Sequence, residues 1–303
     1  MIYIADENDE GKRLDIRLAE FLEGTSRSKI QALIKFGNIL VNKENKKSSY
    51  QLKENDEIEI SDTVSEPLEI KPQNIPLDII YEDDNLLVLN KPKNMLTHPT
   101  NTEVENTLVN ALLYKYGNKL SDVNGDFRRG IVHRLDRNTS GLIMVAKNNQ
   151  THNFLAEQIK NHKIEKTYRA IVKGNWEQDE EIIDLPISRN PKHPHKMMVT
   201  PDGKDSKTIV KVIKRFKEAT AIELTLITGR THQIRVHTSF KNHPVYNDTM
   251  YGAGRGKVFT TEQVLQSFKL IFTKPFTDEI IALQIPPDED YEKVYKYFEG
   301  REK

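Results

Sequence analysis

Leu14, Leu18, Phe21 and Leu22 recur at helical spacing, and Gly24 ends the run. Thr25 or Ser26 is placed to cap a second helix, whose apolar face is Ile30, Leu33 and Ile34 and which breaks at Gly37-Asn38. Ile39–Val41, a polar turn over 42–47 and the alternating Ile58-Glu59-Ile60 add two strands, which completes a small α/β unit of residues 1–62. Two prolines and little periodicity mark 63–74 as a linker, so the remainder, 75–303, reads as a second and larger domain.

The pattern beyond residue 75 is richer in strands. Leu77–Leu89 carries strand material around an acidic turn, and Thr107–Tyr116 reads as a helix. Ile131–His133 and Leu142–Ala146 are predicted as short strands on either side of a polar turn. Phe154, Leu155, Gln158, Ile159 and His162 fit one helical face, and Ile164–Val172 alternates with Tyr168, Ala170 and Val172 on a single side. Ile222, Leu224 and Leu226 alternate up to Gly229, and a short helix follows from His232. Lys269–Phe272 with Glu279–Ile285 form a predicted hairpin, and Tyr291, Val294, Tyr295 and Phe298 a closing helix. Many strands, few helices and no βαβ alternation predict an α+β fold with a mixed, mostly antiparallel sheet.

Composition changes this picture mainly by exclusion. The chain has 303 residues and no cysteine, which removes thiolate nucleophiles, Cys-ligated metals and disulfides. No apolar run approaches the ~20 residues that span a bilayer, and the first residues lack a basic segment followed by an apolar core. A cytoplasmic protein with no membrane partner is expected. The 45 basic and 45 acidic residues balance, but not locally: 26–53 holds seven Lys or Arg and one acid, 127–174 ten and three, and 189–217 nine and two. Segregated positive stretches of this kind suit a phosphate-bearing partner.

Two motifs carry candidate chemistry. In His133-Arg134-Leu135-Asp136-Arg137-Asn138-Thr139-Ser140-Gly141, a strand would deliver Asp136 onto a turn flanked by two arginines. Asn, Thr, Ser and Gly are residues that hydrogen-bond a tight turn and fix its shape. A carboxylate there is available as nucleophile or base. In Thr228-Gly229-Arg230-Thr231-His232-Gln233-Ile234-Arg235-Val236-His237, a strand end and a polar helix start suit an anion contact. The two histidines stand five apart, a poor helical metal pair, so no metal is expected.

The run HRLDRNTSGLIMVAK resembles the catalytic motif of the RluA/RluD family of pseudouridine synthases. YEDDNLLVLNKPKNMLTHP resembles the family's opening motif, KTYRAIVKG its tyrosine motif, and LITGRTHQIRVH with HPVYNDTMYG its downstream motif. LDIRLAEFLEGTSRSKIQALIKFGNILVN resembles the S-four-type (alpha-L) RNA-binding domain that many such enzymes carry. The resemblance implies the pseudouridine synthase fold and isomerisation of uridine to pseudouridine within RNA, without a cofactor. It implies a catalytic role for Asp136, with Tyr168 against the uracil and Arg235 paired to the carboxylate. Arg134 would fill the gap left by an extruded nucleotide, and Arg137, Arg230, His232 and Gln233 would join it around the substrate. Arg27, Lys29, Lys35, Lys43, Lys46 and Lys47 would grip RNA phosphates, contacts that position RNA without reading its sequence. The carboxylate can attack the ribose, attack the base or remove a sugar proton.

The sequence departs from the family pattern at three places. Leu265-Gln266-Ser267 stands where Leu-His-Ala is frequent, and Asn247 and Asn55 stand where a glycine often precedes the aspartate. Asn tolerates positive φ, so both turns are expected to survive. Large-subunit ribosomal RNA is the expected substrate, transfer RNA the alternative, and the protein is expected to be a monomer. A catalytically dead RNA-binding factor is disfavoured by the intact Asp136, Tyr168 and Arg235. An Asp–His hydrolase is disfavoured because no acidic cluster for hard metal ions accompanies the motifs.

Overall fold

The computed structural model describes residues 1–22, 25, 27–35, 37–61, 70–100, 102–252 and 254–301. Gly24 and Ser26, read above as helix stop and cap, and the linker residues 63–69 lie outside the described residues, as do the side chains of Ser28, Lys29 and Lys35. The chain divides into two units, 1–69 and 70–303.

In the first unit, β1 (Ile2–Ile4), α1 (Leu14–Phe21), α2 (Arg27–Lys35), β2 (Ile39–Val41) and β3 (Glu57–Ile60) follow in order. The strands form an antiparallel sheet in the order β1-β3-β2. Leu14 and Leu18 of α1 and Ile30 and Ile34 of α2 pack on Val41 and Ile58 to make its core. Asp15 is fully buried, accepting from Arg13, Arg27 and Gln31, and these hydrogen bonds outweigh burial and hold its carboxyl well below the ordinary range. Asn55, one of the two asparagines standing where a glycine is frequent, adopts φ 66°.

The second unit is built on a single large sheet. Its elements are β4 (Ile79–Glu82), β5 (Leu86–Lys91), α3 (Leu108–Tyr116), β6 (Ser140–Ala146), α4 (Asn149–Lys160), β7 (Glu165–Lys173), β8 (Glu180–Asp184), β9 (Ile187–Arg189), β10 (Met197–Val199), β11 (Lys207–Arg215), β12 (Ala219–Leu226), α5 (Gln233–Phe240), β13 (Leu265–Thr273), β14 (Ile280–Gln284) and α6 (Glu289–Glu299). Nine strands among the described residues run in the order β4-β5-β6-β13-β7-β12-β11-β8, with β14 added on β13. Only the short β6–β13 contact is parallel. This is the mixed, mostly antiparallel sheet that the pattern predicts. β9 and β10 pair separately as a hairpin.

Strand periodicity sorts the side chains into layers. Leu87, Leu89, Ile143, Val145, Tyr168, Ala170 and Val172 face one core with Leu108 and Leu112 of α3 and Ile234 of α5. Leu86, Val88, Leu142 and Met144 face the opposite way onto Leu155 of α4. Burial on both faces is why β5 and β6 read as continuous apolar runs rather than as alternation.

One predicted strand is corrected. Ile131–His133 makes only an isolated bridge, Ile131 to Val145. The Met144 N–H, which a continuing ladder would need, donates instead to His133 Nε2 at 3.0 Å. Asp136 therefore sits on an extended loop, not at the end of a strand. Five strands, β1 and β8 to β11, also escaped the pattern, β11 because its alternate positions carry Lys207, Lys211 and Arg215.

Gly141 is the residue that lets β6 and β13 meet. It has φ +118°, and a Cβ there would fall 2.1 Å from the Ser267 carbonyl oxygen. Gly141→Ala is therefore expected to destabilise the protein by about 3 kcal/mol or more, read as a lowered urea midpoint.

Candidate active site

The loop carrying Asp136 is fixed from the segment that follows β5. Thr97 Oγ1 donates to the Leu135 carbonyl at 2.8 Å and accepts from the Leu135 N–H at 3.3 Å. Lys91 Nζ donates to the carbonyls of Pro92 (2.7 Å), Met95 (2.9 Å) and Arg137 (3.1 Å). The peptides on both sides of Asp136 are thereby tied to 91–97. Burial pushes the Lys91 ammonium down to about 7, and the Asp136 charge opposes that shift. The three carbonyl acceptors likewise favour the charged form.

The carboxylate meets α5 through Arg235. Arg235 Nη1 donates to Asp136 Oδ2 at 3.2 Å, while Nε and Nη2 donate to Asp248 at 2.6 and 3.0 Å in a bidentate pair. Asp248 is fully buried in its pair, and Asp136 keeps 18% of its side chain exposed. Burial works against the guanidinium charge, but Asp248 and then Asp136 more than offset it and raise its pKa. The Asp248 carboxylate also accepts from the Met250 and Tyr251 N–H groups, which closes the turn that Asn247 enters at φ 62°. The Tyr251 ring lies 5.1 Å from the guanidinium.

His232 starts α5 in the left-handed region, φ 57°. Its Nδ1 is 2.8 Å from Tyr251 Oη, and that oxygen accepts from the Met197 N–H, so the phenol proton is free to go to Nδ1. Burial lowers the His232 pKa, favouring the neutral ring. The tautomer that results carries its proton on Nε2, which stands 3.9 Å from Asp136 Oδ2.

A cavity of about 460 Å³ opens over Asp136. Of the residues singled out from the sequence, Arg134, Tyr168, Arg230, His232, Gln233 and Arg235 share its lining with Asp136. Tyr168 is buried, and burial pushes its phenol above the ordinary value. Arg134 is exposed, with no ion pair among the described residues. Arg230 is also exposed and donates to the Asp205 carbonyl. Gln233 is spent on the turn: it accepts from Thr228 Oγ1 and the Arg230 N–H and donates to Lys207 O and Thr208 Oγ1. Arg137 is not brought in; it is paired with Glu103.

In the first unit, Lys43 and Lys47 are exposed and have no ion pair among the described residues. Arg27 is paired with Asp15, and Lys46 with Glu44. Lys91, Thr97, Asp248, Tyr251 and the cavity residue Lys166 were not reached by sequence reasoning. A lysine closing the buried run Leu86–Lys91 was the one legible signal among them. Among the described residues, no group of three or more His, Asp or Glu side chains is placed to hold a metal ion, and no helix is long and apolar enough to cross a membrane.

Comparison with known proteins gives a consistent result. The family model for RNA pseudouridylate synthase matches residues 85–240, and that for the S4 domain matches residues 12–58. An RNA pseudouridine synthase of Bacillus subtilis (strain 168), YlyB, is 38% identical, covering 94% of each chain. The ribosomal large subunit pseudouridine synthase D of Zymomonas mobilis is 35% identical over 94% of this chain and 93% of its own. Among solved structures, human RNA pseudouridylate synthase domain containing 4 superposes with a TM-score of 0.59 at 21% identity, over 73% of this chain and 93% of that one. That likeness speaks for the fold.

Asp248 makes the stronger of the two contacts to Arg235 and is the more buried carboxylate. Asp248→Asn is expected to destabilise the protein by about 3 kcal/mol, since it strands a buried guanidinium. Urea unfolding of the variant beside the parent checks this.

Proposed function

The chain belongs to the RNA pseudouridylate synthase family, and from that premise we propose that it isomerises uridines of large-subunit ribosomal RNA, with Asp136 as its catalytic carboxylate and no cofactor. The observation that carries the reading is the Arg235–Asp136 ion pair, set in one cavity with Tyr168. The choice of RNA rests on relatives of matching length that are named ribosomal large subunit pseudouridine synthase D.

The chemistry asks little beyond these groups. The bond from ribose carbon 1′ to uracil N1 breaks, the base turns, carbon 5 joins carbon 1′, and carbon 5 loses its proton while N1 takes one up, so that substrate and product are isomers. Nothing is oxidised or reduced and no group is imported, so no cofactor is called for. A carboxylate beside an electron-poor sugar carbon suits the first step. Arg235 orients Asp136 and meets its charge, the other edge of the guanidinium being fixed by Asp248. Tyr168 lies against the uracil, and His232 offers its Nε2 proton toward the same space. Gln233 shapes the wall through its turn.

The target must leave its stack to enter, which costs a few kcal/mol and least in loops and bulges. Arg134, exposed and without an ion pair among the described residues, is available to occupy the vacated position, and Arg230 is a second exposed arginine of the same cavity. Arg137 serves the loop more than the substrate. In the first unit, Lys43 and Lys47 are the side chains most available for phosphates, with Arg27 and Lys46 drawn partly into ion pairs and Lys29 and Lys35 on the same helix. We expect a cytoplasmic monomer in which residues 1–62 grip RNA and 75–303 catalyse.

RNA carrying tritium on uridine carbon 5 should release it to the native protein. Asp136→Asn should release none while binding the RNA as before; turnover by that variant would remove the aspartate from its role. Pseudouridines absent from large-subunit ribosomal RNA of cells lacking the protein, and present in its parent, test the substrate.

A further inference from the structure

Lys166 is a buried cation that neither the fold nor the reaction so far has used. It lies on β7 two residues before Tyr168, hence on the same face and about 7 Å away along the strand. Its side chain lines the cavity over Asp136, and the residue is 7% exposed. Among the described residues it has no ion pair and no hydrogen bond to its ammonium, and burial alone lowers its pKa. Gly229 lies against the ammonium, where a Cβ would stand 3.7 Å from Nζ, and it brings no charged side chain to it.

Every other deeply buried charge near the site is compensated. Lys91 has three carbonyls, Arg235 two carboxylates, and Asp248 a bidentate guanidinium with two N–H groups. A largely buried charge with no protein partner is costly in a fold that could have used an apolar residue. Such a cost is retained where a ligand supplies the missing charge.

We infer that Lys166 is an anion-binding residue of the cavity, taking a phosphodiester group of the nucleotide that enters it. The inference rests on the reading of the substrate as a uridine swung out of RNA. With the uracil against Tyr168 and the ribose at Asp136, a group ~7 Å along the strand falls at the distance of the sugar–phosphate backbone rather than of the base. A nucleotide brings one kind of full negative charge, its phosphodiester, whereas the uracil carbonyls are neutral. Arg134 and Arg230 at the rim add to the same positive field.

The test uses the full chain with Lys166→Met and Lys166→Arg, and tritium-labelled large-subunit ribosomal RNA transcript as probe. Lys166→Met removes an uncompensated charge and should raise the Tm of the free protein by a few degrees, the opposite of what a structural lysine would do. The same variant should need about tenfold more RNA for half-maximal tritium release, with the rate at saturation little changed. Its dependence of log affinity on log salt should be shallower by about 0.7, the share of one single-strand phosphate contact. Lys166→Arg should restore affinity and slope. A lowered Tm in Lys166→Met, or an unchanged RNA requirement and salt slope, overturns the inference. If the native protein releases no tritium, the proposed function fails instead. Filter binding of the same RNA across the salt series then judges Lys166 alone, and an unchanged slope in Lys166→Met overturns it.

Discussion

One guanidinium holds the site together. Arg235 is shared between Asp248, which is wholly buried, and Asp136, which faces the cavity. The division is unequal. Two nitrogens serve Asp248 in planar bidentate geometry, which fixes the plane and direction of the side chain, and the remaining nitrogen presents itself to Asp136. A lysine would supply the charge but not two contacts in one plane with a third direction left over. Residues 136, 235 and 248 come from a loop, a helix and a turn, so one side chain cross-links three segments that the sheet has only brought near each other.

The sheet does the coarser placement. β6 and β7 run buried on both faces, and Gly141 lets β13 approach β6 closely enough to pass beside it. The loop before β6 is then left without a ladder partner, because His133 occupies the Met144 N–H. An unpaired stretch of that kind needs its carbonyls satisfied by side chains if it is to hold one conformation. Thr97 and Lys91 meet that need at the carbonyls of Leu135 and Arg137, the residues on either side of Asp136. The opening motif and the aspartate motif are therefore one structural device, although more than 30 residues of sequence separate them.

What was legible in the chain was local. Helices α1, α3, α4 and α6 and strands β5, β6, β7 and β12 follow from the spacing of apolar residues, since burial on one or two faces leaves its period in the sequence. β11 did not, because Lys207, Lys211 and Arg215 alternate outward from a strand whose inner face is short. Asp136, Tyr168 and Arg235 could be picked out because their motifs are long and resemble a known family. Asp248 read only as a turn residue: the contact that gives it meaning spans 13 positions and depends on how α5 packs. Gln233 and Arg137 sit inside the motifs, yet their side chains are taken by the turn and by Glu103. Position within a motif shows that a residue is near the site, not which way its side chain is committed.

The balance of charge in the cavity follows from the same reasoning. On the proposed reading, a carboxylate that faces a developing cation is best served when the positive charges around it have partners of their own. Arg235 is engaged on its inner side by Asp248 through two hydrogen bonds, and it meets Asp136 through its charge first and a single longer hydrogen bond second. Lys91 is spent on carbonyls behind the loop. Lys166 is a buried cation that lines the cavity with no ion pair among the described residues, two positions along β7 from Tyr168. On the proposed reading, that arrangement gives one cavity a place for an anion at one end and for a cation-like sugar beside an aspartate at the other.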